Sequence, residues 1–408
     1  MALSGIHLIA LPANAQGNSG QTTLTLDQAV QLTLEQHPQL GIYQYRRDEY
    51  RGLVDQVGAS ERPTINLSVE DVAGGGEYSG FDRAQTTLSI SWVMQGERIG
   101  RRVQAAQTAA GQVDIQQQIV ALDLSARTAR LFIQSLVTEE RLTLSQQAVD
   151  QAKNTVTAIR ERVSAGSSLE LESLQAEVEL AERELETEDL QHELSSSRYQ
   201  LAAQWGEGKR GYQLRGELFN IPAFDSVEEQ IDTLKQNPAL TLLATQQRIL
   251  DSEIELARIE ARPQLQFSVG VRRYEATDDV GMTAGVSLPL GKDPGSAGKI
   301  RRLRAQQAEY GVETQALQRE LDTQLYVLLQ EIKHSRHVIE TLQEQIIPNL
   351  EEAERQAEQA FNAGRLGYQQ WSVILNKKLD AQQELLSAFE SIHLQHIELQ
   401  RLTGTSLI

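Results

Sequence analysis

One pattern is written twice along the chain, and nothing else restricts the possible folds as tightly. Arg62-Pro63 is answered 200 residues later by Arg262-Pro263, His37-Pro38 by Asn237-Pro238, and Leu67-Ser68-Val69 by Phe267-Ser268-Val269. Arg101-Arg102 returns as Arg301-Arg302, Ala165-Gly166 as Ala363-Gly364, and Trp205-Gly206 as Thr403-Gly404. Solenoid repeats have periods of roughly 20–50 residues. The spacing here therefore predicts a tandem duplication of one large unit: repeat 1 over 22–205, a linker over 206–225 and repeat 2 over 226–405.

Each unit opens as a helix. Leu26, Ala29, Val30, Leu34 and Leu40 lead toward Val57, with Asp27 as the expected cap and His37-Pro38 as a break. In the second unit Ser226 is the expected cap of a helix running to about Ala261. Arg-Pro ends both helices, because the residue before proline is pushed out of the α region.

After Arg-Pro the period changes to two. Ile65, Leu67 and Val69 alternate with Asn66, Ser68 and Glu70; Leu88, Ile90 and Trp92 alternate with Ser89 and Ser91. Leu265, Phe267, Val269 and Val271, then Met282, Ala284, Val286 and Leu288, repeat the scheme against Gln, Ser, Gly and Thr. The expectation is two β-hairpins, 64–93 and 264–290, with the apolar residues Leu88, Ile90, Trp92, Val269 and Val286 facing lipid. Alternation of this kind also suits a soluble sandwich, but the flanking helical sequence offers no second sheet to cover the apolar face. Apolar-out, polar-in strands of about ten residues are what a membrane barrel requires. Tyr78, Phe81, Trp92 and Tyr274 fall near strand ends, as an aromatic girdle would.

Helical hairpins follow, 99–205 and 297–403. Ile115, Ile119, Leu122, Ala126, Ala129, Ile133 and Leu136 step by four and three, as do Leu321, Leu325, Leu328, Ile332, Ile339, Leu342 and Ile346. That cadence is a 3.5-residue coiled-coil seam. Pro348 is expected to kink the second rod, and Gly166 and Gly364 to reverse the two chains.

Composition agrees: 5% aromatic residues, nine Pro and long Ala/Glu/Gln/Leu/Arg tracts describe a mainly α protein. The net charge of −18 argues against nucleic acid as a partner, since phosphate binding needs a basic surface. With no cysteine there are no disulfides or thiolate metal sites. Residues 1–16 end in Ala13-Asn14-Ala15, a signal-peptidase pattern whose basic leading region is missing. Arg101-Arg102 and Arg301-Arg302 lie just below the strands, as interface anchors or rod-base salt bridges. His334/His337 and His393/His396 have an i,i+3 spacing open to a metal but better suited to packing between helices. No catalytic constellation or cofactor motif is present, so no enzyme is expected.

Four strands cannot close a barrel, since the smallest have about eight, whereas three copies supply an even dozen. In order and twice over, Asn237-Pro238, the Arg-Pro pairs, Ile347-Pro348 and Phe361-Asn362-Ala363-Gly364 with the Leu375/Leu379 heptad resemble the TolC-like outer-membrane efflux proteins of Gram-negative bacteria. The resemblance implies a homotrimeric exit duct of a tripartite efflux or type I secretion system, set in outer-membrane lipid. It also implies docking through a periplasmic tip to an adaptor and an inner-membrane pump. The docking turns are then Gly166, Ser167, Ser168 and Leu169 with Gly364, Arg365, Leu366 and Gly367. An acidic gate would fall at Glu172, with Glu170 beside it, but the second unit has Gln370 at the matching position. The competing readings, a periplasmic coiled-coil adaptor or a structural coiled coil without a pore, leave two amphipathic strand pairs unexplained.

Overall fold

The computed structural model describes residues 23–207, 212–291 and 293–405, so the expected signal peptide at 1–16 lies outside the described residues. A short strand β1 (Thr23–Leu24) leads into α1 (Leu26–Gln36). Thr25, not Asp27, caps α1: its hydroxyl accepts from the Gln28 N–H while the Gln28 side chain accepts from the Thr25 N–H. This reciprocal pair satisfies two donors that a helix start otherwise leaves open; Asp27 sits in the first turn, where its charge suits the helix dipole. Pro38 starts α2 (Pro38–Gly58), and its missing N–H costs nothing at a helix start.

Strands β2 (Thr64–Glu70) and β3 (Gln85–Val93) follow, then α3 (Gly96–Ala110) and the long rod α4 (Gln112–Ser164). The expected rod from Ile99 is thus interrupted at Gly111. Helix α5 (Glu170–Ala202) returns along α4, and β4 (Gln213–Leu214) pairs in parallel with β1. The second half has α6 (Val227–Leu234), α7 (Pro238–Glu260), β5 (Gln266–Tyr274) and β6 (Asp279–Ser287). Ser226 caps α6 as expected, but the helix does not continue to Ala261; Asn237-Pro238 breaks it as His37-Pro38 breaks the first. Helices α8 (Ser296–Thr341), α9 (Ile347–Asn362) and α10 (Tyr368–Thr403) complete the chain.

The four long strands form one antiparallel sheet, ordered β2-β3-β5-β6. Below it the helices pack in the same order, α2 on α3, α3 on α7 and α7 on α8, so each strand continues into the helix beside its neighbour's. Farther down, α5 packs on α4, α4 on α10, and α10 on α8 and α9. The molecule is a single layer of strands prolonged by rods, the 53-residue α4 alone being about 80 Å long at 1.5 Å per residue. Its main core gathers at mid-height around Phe132, Val137, Trp205, Phe389 and Ile392.

Pro348 acts through its neighbours. A π-helical turn at Leu342–Ile346 separates α8 from α9, with Pro348 in the first turn of α9. Above it Leu321, Leu325, Leu328, Ile332, Ser335, Ile339 and Leu342 are buried. Continuing the cadence would bury Ile346, which is instead 40% exposed, while Ala357 and Phe361 are buried below. The seam has moved on by one residue, as an inserted π turn requires.

Candidate functional site

Two regions hold the residues singled out from the sequence, the sheet and the far end of the rods. In the sheet the register pairs like with like. Ile90 lies opposite Ile65 and Val269; Leu88 lies opposite Leu67 and Val271; Trp92 lies opposite Phe267, which in turn lies opposite Val286. Side chains of directly opposed residues share a face, so Leu88, Ile90, Trp92, Val269 and Val286 share one apolar face, and all five are exposed. Trp92 stacks on Phe267 with ring centroids 6.0 Å apart. The other face carries Thr87, Ser89, Ser91, Ser268, Gly270 and Arg272. It is tightly packed: a Cβ on Gly270 would sit 2.6 Å from the Ser89 Cβ. Arg272 spans this polar face, donating to Thr87 Oγ1 at 2.8 Å and Gln85 Oε1 at 3.0 Å and pairing with Glu70 at 3.2 Å. Among the described residues no helix is long and apolar enough to cross a membrane.

At the far end both chain reversals are built alike. Gly166 (φ +70°) and Gly364 (φ +73°) take the left-handed conformation. The next N–H reaches back five residues, Ser167 to the Arg162 carbonyl at 2.8 Å and Arg365 to the Ala360 carbonyl at 2.9 Å. Carbonyls left open by the ending helices are satisfied in this way. Ser167 also caps the Arg162 carbonyl with its hydroxyl. Gly166, Ser167, Leu169, Gly364 and Arg365 are exposed, whereas Ser168 and Gly367 are half-buried and Leu366 packs against the cluster beneath.

That cluster was not legible as a site. Val156 and Ile159 of α4, Ala176 of α5, Ala357 and Phe361 of α9, and Tyr368 and Trp371 of α10 join both hairpins into one tip. Phe361, 1% exposed, stacks on Trp371 at 4.6 Å, and the Arg162 guanidinium lies 4.4 Å over its other face. Burial, with the Glu179 charge adding to it, pushes the Tyr368 phenol up to about 12, so it remains neutral. Higher up, Arg183 of α5 donates to Asn376 of α10 at 3.1 Å and holds Glu179 and Glu186 on its own helix. Only the helical phase of these residues hints at their meeting; their partners come from the other half of the chain.

The three candidate gate residues fare differently. Glu172 accepts from Ser168 Oγ at 2.5 Å and from the Tyr368 N–H at 3.4 Å, so its carboxylate links the start of α5 to the start of α10. Gln370 accepts from the Gly367 N–H at 3.0 Å and so helps start α10. Glu170 is exposed in the first turn of α5. Elsewhere, His393 Nε2 meets the Leu218 carbonyl at 2.8 Å and His396 packs edge-on against Phe224. Burial holds both imidazoles below their ordinary range. His334 and His337 are exposed on α8. Among the described residues no group of three His, Asp or Glu is arranged to hold a metal.

Replacing Glu172 with Gln removes the charge from this link. The expected result is a higher resting conductance in planar bilayers with a weaker preference for cations. Unaltered conductance and selectivity would leave Glu172 as a local cap only.

Residues 29–207 match the family model described as outer membrane efflux protein. The cobalt-zinc-cadmium resistance protein CzcC of Cupriavidus metallidurans is 27% identical over 373 residues, covering 90% of this chain and 84% of that protein. Among solved structures, the outer membrane protein VceC of Vibrio cholerae superposes with a TM-score of 0.73 at 16% identity, over 94% of this chain and 97% of that one. The open state of the MtrE outer membrane channel of Neisseria gonorrhoeae gives 0.71 at 14% identity, over 94% and 89%. The match to the outer membrane efflux protein model over residues 29–207 and the likeness in fold to solved outer membrane channels over nearly the whole chain agree with the resemblance drawn from the motifs.

Proposed function

We propose that three copies of this chain close a twelve-stranded barrel continued by a helical tunnel, and that the assembly is the outer exit of a tripartite efflux system. One observation carries the reading: the layer has an unsealed edge at every height. The sheet ends in the free edges of β2 and β6. In lipid each unpaired backbone group of such an edge costs several kcal/mol. Below, α2 and α8 each have one side without a neighbour in the layer. Lower still, α5 exposes Leu171, Leu174, Val178 and Leu185 at steps of three, four and seven, a coiled-coil seam with no helix on it. A second copy set edge to edge covers all three, and the third closes the ring. The apolar sheet face then meets lipid and the polar face lines a water-filled lumen. Mass measurement in mild detergent is expected to give a trimer; a monomer with full strand content would sink the reading.

The tip lies farthest from the sheet, so a periplasmic adaptor bringing an inner-membrane pump meets Ser167, Ser168, Leu169, Arg365, Leu366 and Gly367 first. Bulky substitution at the exposed Ser167 and Arg365 is expected to abolish transport without lowering trimer yield. Glu172, with Glu170 beside it, forms the acidic constriction, and Gln370 contributes no charge. Inorganic cations are the favoured cargo: the similar CzcC is a cobalt-zinc-cadmium resistance protein, and a chain of net charge −18 attracts cations electrostatically. Loss of divalent-metal tolerance on deleting the gene tests the cargo; unaltered metal tolerance with lost drug tolerance would redirect it.

A further inference from the structure

A band of positive charge crosses the layer just below the sheet, and it is out of keeping with the rest of the chain. The segments joining strands to helices, 59–64, 95–104, 255–264 and 293–304, hold ten Arg and Lys against five Asp and Glu, on a chain of net charge −18. All four helices of the layer flank it. Part of the band is internal bracing. Glu260 receives Arg102 at 3.2 Å and Lys299 at 3.1 Å, Arg262 pairs with Glu97 at 3.1 Å, and Arg98 donates to the Glu260 carbonyl at 2.7 Å. Burial favours the neutral Glu260 carboxyl, but the two cations outweigh it and hold the group below the usual carboxylate range.

Arg258 pairs with Glu255 on its own helix, and the five remaining cations brace nothing. Among the described residues Arg62, Arg101, Arg301, Arg302 and Arg304 are exposed and have no carboxylate within 4.0 Å; Arg101 and Arg302 meet only Gln104 and Gln306 of their own helices. Directly above them lies the lower rim of the apolar face, with exposed Ile65, Trp92, Met94, Leu265, Leu288 and Leu290. Unpaired cations one or two helical turns beyond a lipid-facing apolar rim stand at the depth of the headgroup phosphates.

We propose that Arg62, Arg101, Arg301, Arg302 and Arg304 form a collar that binds the headgroups of anionic phospholipids in the periplasm-facing leaflet. The inference rests on the barrel reading above. Guanidinium groups bind phosphate oxygens in bidentate fashion, and a basic residue at an anionic membrane surface adds roughly fivefold to binding. Because the helices are already braced through Glu260 and Glu97, the collar is free to serve lipid rather than hold the fold.

The test compares wild type with an R101Q/R301Q/R304Q variant in vesicles of phosphatidylcholine, with or without phosphatidylglycerol. Both are expected to form the heat-resistant, conducting barrel in neutral vesicles. Phosphatidylglycerol is expected to raise the thermal midpoint of wild type only, and high salt to cancel that rise. Native mass spectra should show phosphatidylglycerol retained on wild type and largely lost from the variant, whereas an R101K/R301K/R304K variant retains part of it. An equal rise in wild type and the Gln variant, or no rise in an assembled wild type, overturns the collar and leaves the barrel standing. Failure of wild type to form a barrel in either vesicle overturns both.

Discussion

Val269→Arg is expected to destabilise the folded, membrane-inserted protein by roughly 2–4 kcal/mol, the cost of an Arg on a barrel's lipid face near the midplane. Val269 is central in β5 and lies opposite Ile90 on one side and Ala284 on the other, so no polar neighbour is at hand for a guanidinium. Ser268→Arg, one residue away, is expected to cost much less. Its side chain shares the polar face with Arg272, which that face already serves with Thr87, Gln85 and Glu70. Denaturant unfolding of both variants in lipid vesicles separates the two faces, and equal losses would contradict the assignment of apolar face to lipid.

The second large effect is expected at the opposite end. Phe361→Ala should weaken the tip by about 3–5 kcal/mol, the usual range for removing a buried Phe. Phe361 lies between the Trp371 ring and the Arg162 guanidinium, and these belong to α10 and α4. Its loss therefore removes the layer that joins the two hairpins as well as a side chain from one of them. Amide hydrogen exchange is the suitable measurement. Protection should fall around 156–163 and 357–371 while β3 and β5 are unaffected. Unaltered protection at the tip would mean that the hairpins cohere by the polar contacts higher up, such as Arg183 to Asn376.

Much of this architecture could be read locally because its signals are local. Arg-Pro ends a helix by sterics that need no tertiary partner, and period-two alternation assigned each side chain of β3 and β5 to the face it occupies. Ala-Gly marked both reversals because only glycine takes positive φ cheaply. What escaped depends on encounters between distant segments. The pairing of β3 with β5 joins residues far apart in sequence, and nothing in either strand's pattern names the other. The contacts of Glu172 escaped as well, because its carboxylate accepts from a backbone N–H 196 residues away. Ile346 continued the cadence faultlessly and was misjudged, because a π turn alters the phase of a helix without altering its composition.

That turn has a consequence for symmetry. Rod α4 runs from Gln112 to Ser164 without a π turn, whereas α8 and α9 are joined through one. The two rods descend from similar strands but rotate differently on the way, so the duplicated halves are not interchangeable at the tip. A trimer of such chains has six hairpin ends of two alternating kinds and only a three-fold axis. An adaptor selective for one kind can seat three copies at most; a ring of six would have to recognise two different surfaces.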